Sequence, residues 1–250
     1  MPNINIKDLT VKYIDKNKNQ TIALDNFSAT FESEKINVIV GFSGSGKTTL
    51  LNSVAGLLNY LTTIVTGDIY FDDKDISDTD TKDRNISYVS QEFSVYPHMT
   101  IYDNIAFPLH YLKWNRGMID ESVKQVAKDL DIYHCLSRKP KHISIGQAQR
   151  ASLARSIVKK PSLLLLDEPL SNVDEATRHT IRRLIKDIVK KYNITVLYVT
   201  HNFSDAMFLA DKLFVLNEGK LEVSGSPLDV YKSDSEIIKY MKESIKENEL

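Results

Sequence analysis

The sequence predicts an α/β fold, a core built around a parallel sheet with an antiparallel β layer beside it and a helical subdomain inserted midway. Three observations carry this. Val38-Ile39-Val40, Leu163-Leu164-Leu165-Leu166 and Ile194–Val199 are short apolar runs of the kind found in strands buried on both faces. Stretches with helical periodicity follow them. Between about residues 92 and 146, strand-like alternation disappears and only helical spacing remains.

Taken in order, the apolar positions Ile4, Ile6, Leu9, Val11 and Tyr13 mostly alternate and predict a first strand. The polar run 15–20 predicts a hairpin turn, and a second strand is expected over about Ala23 to Phe31. Val38–Val40 is the next strand, and Leu50–Ala55 reads as the first turns of a helix. Gly67–Phe71 and Ile86–Ser90 are short strands separated by an acidic loop over 72–83. In the helical insert, Met118, Val123, Val126, Ala127 and Leu130 recur at helical spacing. Gln147–Val158 is a helix with Ala151, Ala154, Ile157 and Val158 on one face. The Leu163–Leu166 strand, an amphipathic helix over Glu175–Tyr192 and the Ile194–Val199 strand follow. A helix over about Phe203–Ala210 leads into a hairpin, Lys212–Leu216 and Lys220–Ser224. The tail beyond Pro227 is charged and helical in pattern.

At 250 residues, 42% hydrophobic and 26% charged, the chain has the composition of a globular protein with a substantial core. A net charge of −1 argues against binding nucleic acid through a basic surface. The one cysteine, Cys135, has no intramolecular partner, which fits a reducing compartment. The first residues lack a basic-then-apolar leader pattern, and no apolar run approaches the roughly 18–20 residues of a membrane helix.

The richest stretch is Gly41-Phe42-Ser43-Gly44-Ser45-Gly46-Lys47-Thr48-Thr49, which fills every position of G-x-x-x-x-G-K-[ST] between a strand and a helix. Glycines let successive N–H groups turn inward around a phosphate, and the helix start adds unpaired N–H groups. Lys47 can reach the β- and γ-phosphates of a nucleotide, and the Thr48 hydroxyl can ligate Mg²⁺. Leu163–Leu166 ends in Asp167-Glu168, an acidic pair at a strand's C-terminal edge. Asp167 fits a Mg²⁺ ligand, and Glu168 is placed to polarise an attacking water. No N-K-x-D guanine reader is present, which disfavours a GTPase. The five histidines other than His201 show no metal-ligand spacing.

Ile143-Ser144-Ile145-Gly146-Gln147 precedes a helix and offers a second anion-binding helix start. With this stretch the sequence resembles, over nearly its whole length, the ATP-binding subunits of ABC transporters, in which an L-S-G-G-Q signature contacts the γ-phosphate held by the other subunit of a head-to-tail dimer. Ser144, Gly146 and Gln147 match that signature. Ile145 stands in place of its first glycine, and a β-branched residue there resists positive φ and blocks close backbone approach. The resemblance further implies that Gln91 senses Mg²⁺ and the attacking water, and that Asp174, in Pro169–Asp174, reaches across the dimer. It implies that His201 contacts the γ-phosphate and that Tyr13 lies against adenine, although an aromatic there is more often core.

The stretch Ser94–Leu109 resembles the region where bacterial importers of sugars and polyamines receive a coupling helix from the membrane protein. Tyr96, Pro97, Met99 and Phe107 would supply an apolar, aromatic groove, or pack the insert's own core. Only 49 residues follow His201, too few for the C-terminal regulatory domain of many such importers. The resemblance therefore implies one ATP-binding cassette domain over residues 1–250, with its helical subdomain near 92–146. ATP and Mg²⁺ are the expected cofactors. The expected partners are a second ATP-binding subunit, identical or related, and integral membrane transport subunits docking near Tyr96–Phe107, with a solute-binding protein as a further candidate and no nucleic acid. The expected location is cytoplasmic, peripheral on the inner face of the membrane. The expected activity is ATP hydrolysis energising solute uptake; an exporter ATPase and a soluble non-transport ATPase of the same family are the rivals.

Overall fold

The computed structural model describes residues 1–90, 95–171 and 173–248, with side chains through residue 243. Two sheets organise it. β1 (Ile4–Ile14) and β2 (Gln20–Phe31) form an antiparallel hairpin. Its turn is tied by Asp15, whose Oδ1 accepts from the N–H groups of Asn17 and Asn19. β4 (Thr63–Phe71) pairs with the other edge of β1 and β5 (Lys74–Asp75) with β4, giving the order β2-β1-β4-β5.

The second sheet contains β3 (Ile36–Val40), β6 (Ile86–Val89), β7 (Leu163–Asp167), β8 (Thr195–Thr200), β9 (Lys212–Asn217) and β10 (Lys220–Gly225) in the order β10-β9-β3-β8-β7-β6. All its pairings are parallel except β9 with β10. Every residue of β3, β7 and β8 is buried, as expected of strands covered on both faces.

Successive side chains of these strands serve two cores, because the side-chain period of a strand is two. Ile39, Leu163, Leu165, Leu197 and Val199 face the first sheet across α1 (Lys47–Ala55), with Leu9, Val11, Phe27, Leu50, Leu51 and Val54. Val38, Val40, Leu164, Leu166, Val196 and Tyr198 face the opposite way, toward the helices. These are α2 (Ile101–Tyr111), α3 (Arg116–Asp129), α4 (Ile145–Ile157), α5 (Glu175–Tyr192), α6 (Phe203–Leu209), α7 (Pro227–Lys232) and α8 (Glu236–Asn248).

Several expectations shift. β2 begins at Gln20 and β4 at Thr63, because pairing with β1 extends both strands into segments without a strong apolar pattern. α1 starts at Lys47, inside the glycine-rich motif, and α4 at Ile145 rather than Gln147. Met118 is 48% exposed, and Ile119 takes its place on the buried face of α3 with Val123, Val126 and Ala127. Arg84, on the far side of the acidic loop, is buried and donates from Nη1 to the Ser53 and Val54 carbonyls at 3.1 and 2.8 Å. That satisfies acceptors at the C-terminal end of α1, where a cation is favoured.

Candidate functional site

The site gathers where β3, β7 and β8 end, at the C-terminal edge of the parallel sheet. Gly41 follows β3 and lies against β9, so close that a Cβ there would lie 2.3 Å from the Leu216 carbonyl oxygen. Gly46 has φ 103°, in the left-handed region, and a Cβ would meet the Ala23 carbonyl oxygen at 2.3 Å. Only glycine fits both demands. Gly46 is also the N-cap of α1 and supplies no side-chain cap, so the helix start keeps its N–H groups for another acceptor. The Ser45 hydroxyl is buried in the loop with no hydrogen-bond partner among the described residues, as expected of a group awaiting a ligand.

Lys47 is buried, and its Nζ donates to the Gly41 and Phe42 carbonyls at 2.9 and 2.8 Å. Burial lowers its pKa, while the charges of Glu168 and Asp167 oppose that shift. Asp167 closes β7 beside the loop. Its Oδ1 accepts from Thr48 Oγ1 at 3.2 Å and its Oδ2 from the Tyr88 hydroxyl at 2.8 Å. Burial raises the Asp167 pKa despite these hydroxyls, and Glu168 adds to the rise. Among the described residues no ion pair satisfies Asp167. An under-compensated carboxylate touching a threonine hydroxyl fits a hard divalent cation completed by phosphate oxygens and water. No cluster of three or more His, Cys, Asp or Glu side chains able to hold a metal by themselves occurs among the described residues.

Glu168 leaves the strand with φ 46°, a left-handed conformation that costs a residue with a Cβ about 1–2 kcal/mol. The turn is held by its own N–H, which donates to the Val199 carbonyl at 3.0 Å. It brings Oε2 within 2.8 Å of Nδ1 of His201, from the segment after β8. The Glu168 side chain is 19% exposed and the His201 side chain 51%, so the pair stands at the mouth of the cluster. Tyr13, 36% exposed, joins from β1, its hydroxyl 3.2 Å from Thr49 Oγ1. It is a rim residue of the loop, not a core aromatic.

The fold thus collects Tyr13, Gly41–Thr49, Asp167, Glu168 and His201 from four separated segments. Ser144, Gly146 and Gln147 sit instead at the start of α4. There Ser144 and Gln147 form a reciprocal capping box, and Gln147 Nε2 lies 3.3 Å from His134 Nε2. No hydrogen bond among the described residues joins them to the loop cluster. Ile145 corrects one expectation: it is the first helical residue of α4 and does not have positive φ, so its backbone has no need of glycine. Its side chain is 77% exposed, and what it changes is the surface offered at that helix start. Asp174 is the N-cap of α5, accepting from the Thr177 N–H at 3.0 Å, which lowers its pKa. Gln91 lies outside the described residues, as do Glu92 and Asn172. Tyr96 and Phe107 are 37% and 42% exposed and lie 5.1 Å apart, centroid to centroid, while Pro97 is exposed and Met99 partly covered.

Tyr88 was not marked by the sequence reading. Its alternation with Ile86 looks like ordinary strand patterning, and only the parallel pairing of β6 with β7 turns its hydroxyl onto Asp167.

The fold and this cluster define an ATP-binding cassette. Residues 24–171 match the family model described as ABC transporter, and the chain belongs to that family. It is 41% identical over 230 residues to the glucose import ATP-binding protein GlcV of Saccharolobus solfataricus, with 89% of this chain and 64% of that protein covered. It is 45% identical over 194 residues to the sn-glycerol-3-phosphate import ATP-binding protein UgpC of Cupriavidus metallidurans, with 78% and 52% covered. The chain thus spans between half and two thirds of the length of these curated relatives. The dimeric post-hydrolysis structure of the ATP-binding cassette MJ0796 bound to ADP and Pi superposes with a TM-score of 0.76 at 28% identity, covering 90% of this chain and 98% of that one.

Proposed function

We propose that this chain binds and hydrolyses ATP and so energises solute uptake through a separate membrane-spanning partner. The observation that carries the reading is the junction at the sheet edge, where Lys47, Thr48 and Asp167 meet beside the Glu168–His201 pair at 2.8 Å. Lys47 and the loop amides would take the phosphates, with Tyr13 against the base. Thr48 and Asp167 would hold Mg²⁺, with Gln91 as a further ligand; bound there, Mg²⁺ neutralises phosphate charge. Glu168 would accept the proton of the attacking water, and His201, donating from Nδ1 to Glu168, would keep that carboxylate oriented and lie against the γ-phosphate.

Two copies, or this chain and a related one, would sandwich ATP between the loop of one and Ser144, Gly146 and Gln147 of the other, with Asp174 reaching across. The dimeric MJ0796 cassette supports that arrangement, and the similarity to the import proteins GlcV and UgpC supports uptake over export. Among the described residues no helix is long and apolar enough to cross a membrane, so association would be peripheral, through membrane subunits docking near Tyr96–Phe107. We place residues 1–250 in one cassette domain.

Glu168→Gln tests the reading. We expect nucleotide affinity within about threefold of wild type and turnover reduced by at least roughly 100-fold, the low end of what a positioned general base contributes. Equal turnover in the two proteins would remove Glu168 as the base.

A further inference from the structure

Behind the Glu168–His201 pair lies a buried ionic link that the nucleotide chemistry does not itself require. Asp205, on α6, is 2% exposed, and Arg182, on α5, is 4% exposed. Arg182 Nε donates to Asp205 Oδ1 at 2.5 Å, and its Nη2 faces the same oxygen. Burial raises the Asp205 pKa, opposed by the Arg182 charge. The link continues in both directions. Arg182 Nη1 reaches Glu175 Oε1 at 3.4 Å, Arg178 Nη1 reaches Glu175 Oε2 at 3.3 Å, and Arg178 Nη2 donates to the Leu170 carbonyl at 3.2 Å. Leu170 is two residues beyond Glu168. On the other side, the Asp205 N–H donates to Asn202 Oδ1 at 2.9 Å, and the Asn202 N–H to Thr200 Oγ1 at 2.9 Å. His201 stands between those two residues.

These contacts close a ring: Glu168, His201, Asn202, Asp205, Arg182, Glu175, Arg178, Leu170 and back to Glu168. Two of its three polypeptide segments carry the base and the histidine, and it is bridged at the front by the 2.8 Å contact of Glu168 with His201. Behind the ring Tyr198 is fully buried, its hydroxyl without a hydrogen-bond partner among the described residues. A buried ion pair contributes little net stability compared with an apolar pair of similar volume, so stability alone gives weak reason for it here. Its geometry does something an apolar pair cannot: a buried, charge-assisted hydrogen bond fixes direction and distance at once.

We propose that Arg182 and Asp205 are positioning residues for hydrolysis, setting the spacing between the segment that carries Glu168 and the segment that carries His201. Among the described residues no hydrogen bond or ion pair joins either to the phosphate loop. Their effect falls on turnover and leaves nucleotide binding alone, because Lys47, Thr48 and Tyr13 sit on other elements. The inference rests on Glu168 and His201 being the hydrolytic pair.

The test is the paired apolar replacement Arg182→Met with Asp205→Leu, run on the full chain beside wild type and Glu168→Gln. The paired variant should fold with a melting temperature at or above wild type and bind ATP within about twofold. Its kcat should fall roughly 10- to 100-fold with KM little changed, the scale of effect expected from a displacement of an ångström or less. Arg182→Lys, which keeps the charge without the planar guanidinium that reaches both Asp205 and Glu175, should fall between the two. A folded paired variant with kcat within twofold of wild type would overturn the proposal and leave the pair as packing. If the paired variant does not fold, Asp205→Asn decides by the same measurement: reduced kcat at unchanged ATP affinity supports positioning, and unchanged kcat overturns it. Loss of turnover in Glu168→Gln beside a normal paired variant sinks only this inference. Normal turnover in Glu168→Gln sinks the hydrolytic reading beneath it.

Discussion

At the scale of single residues, the site holds charges in an arrangement that a protein without a ligand would not favour. Among the described residues Lys47 is desolvated and donates only to carbonyls, and Asp167 is buried with hydroxyls in place of a cation. Lys47→Ala should weaken ATP binding about 10- to 150-fold, from the loss of charge-assisted hydrogen bonds worth roughly 1.5–3 kcal/mol; fluorescence titration with a nucleotide analogue reads it directly. The raised pKa of Asp167 sets a pH sign. In the native state the group holds its proton more readily than in the unfolded chain, so its contribution to stability is full below the ordinary carboxylate range. That contribution is lost as pH rises through the raised value. Asp167→Asn should therefore stabilise the nucleotide-free protein by an amount that grows in thermal melts as pH rises from the ordinary carboxylate range through the raised value. A gain that shrinks with pH would contradict the assignment. The same substitution should abolish the additional stabilisation by Mg²⁺-ATP over ATP alone.

The residues of this cluster were legible to different degrees. Gly41–Thr49 and Asp167-Glu168 are contiguous motifs whose spacing alone states their chemistry. Tyr88 and the Arg182–Asp205 pair were not legible, because each depends on which elements lie side by side, and a tyrosine in a strand or an arginine in a helix carries no mark of its partner.

At the scale of elements, helix starts do two kinds of work. The start of α1 has no side-chain cap, whereas α4 and α5 are capped by Ser144 and Asp174. Ser144→Ala should cost about 1 kcal/mol of stability through the cap alone, readable by denaturant unfolding. Asp174→Asn keeps a good N-cap while removing the carboxylate, so it should leave stability within about 0.5 kcal/mol. If Asp174 acts across a dimer, the same variant should still lower turnover; unchanged turnover would leave it as a cap only. The ends of elements were the least legible part of the fold. β2 and β4 run beyond their apolar patterns because β1 between them supplies hydrogen-bond partners on both edges.

At the scale of the whole molecule, α8 closes a circuit back to the phosphate loop. Tyr240 meets Phe42 edge to face, with ring centroids 5.3 Å apart, while Ile237, Ile238 and Met241 are buried in the helical core. For assembly, Glu168→Gln with Mg²⁺-ATP should elute as a dimer in size-exclusion mass measurement and as a monomer without nucleotide. Running Ile145→Gly in that background measures what the exposed isoleucine does. A dimer only in the glycine form would place the obstacle at that side chain. A dimer in both would show it to be tolerated, in keeping with a helical backbone that asks nothing of glycine there.

The α/β class, the order of most elements, the phosphate loop and the acidic strand end can be read from the amino-acid sequence. These are written in local periodicity and in contiguous spacing, and they need no knowledge of distant neighbours. Folding was needed to put Tyr13 on the rim of the loop, Tyr88 against Asp167, Ile145 in a helix, and Arg182 of α5 against Asp205 of α6. Each of those follows from pairing across the sheet or packing between helices far apart in the chain, and a buried polar contact acquires its meaning from the partner that the fold delivers.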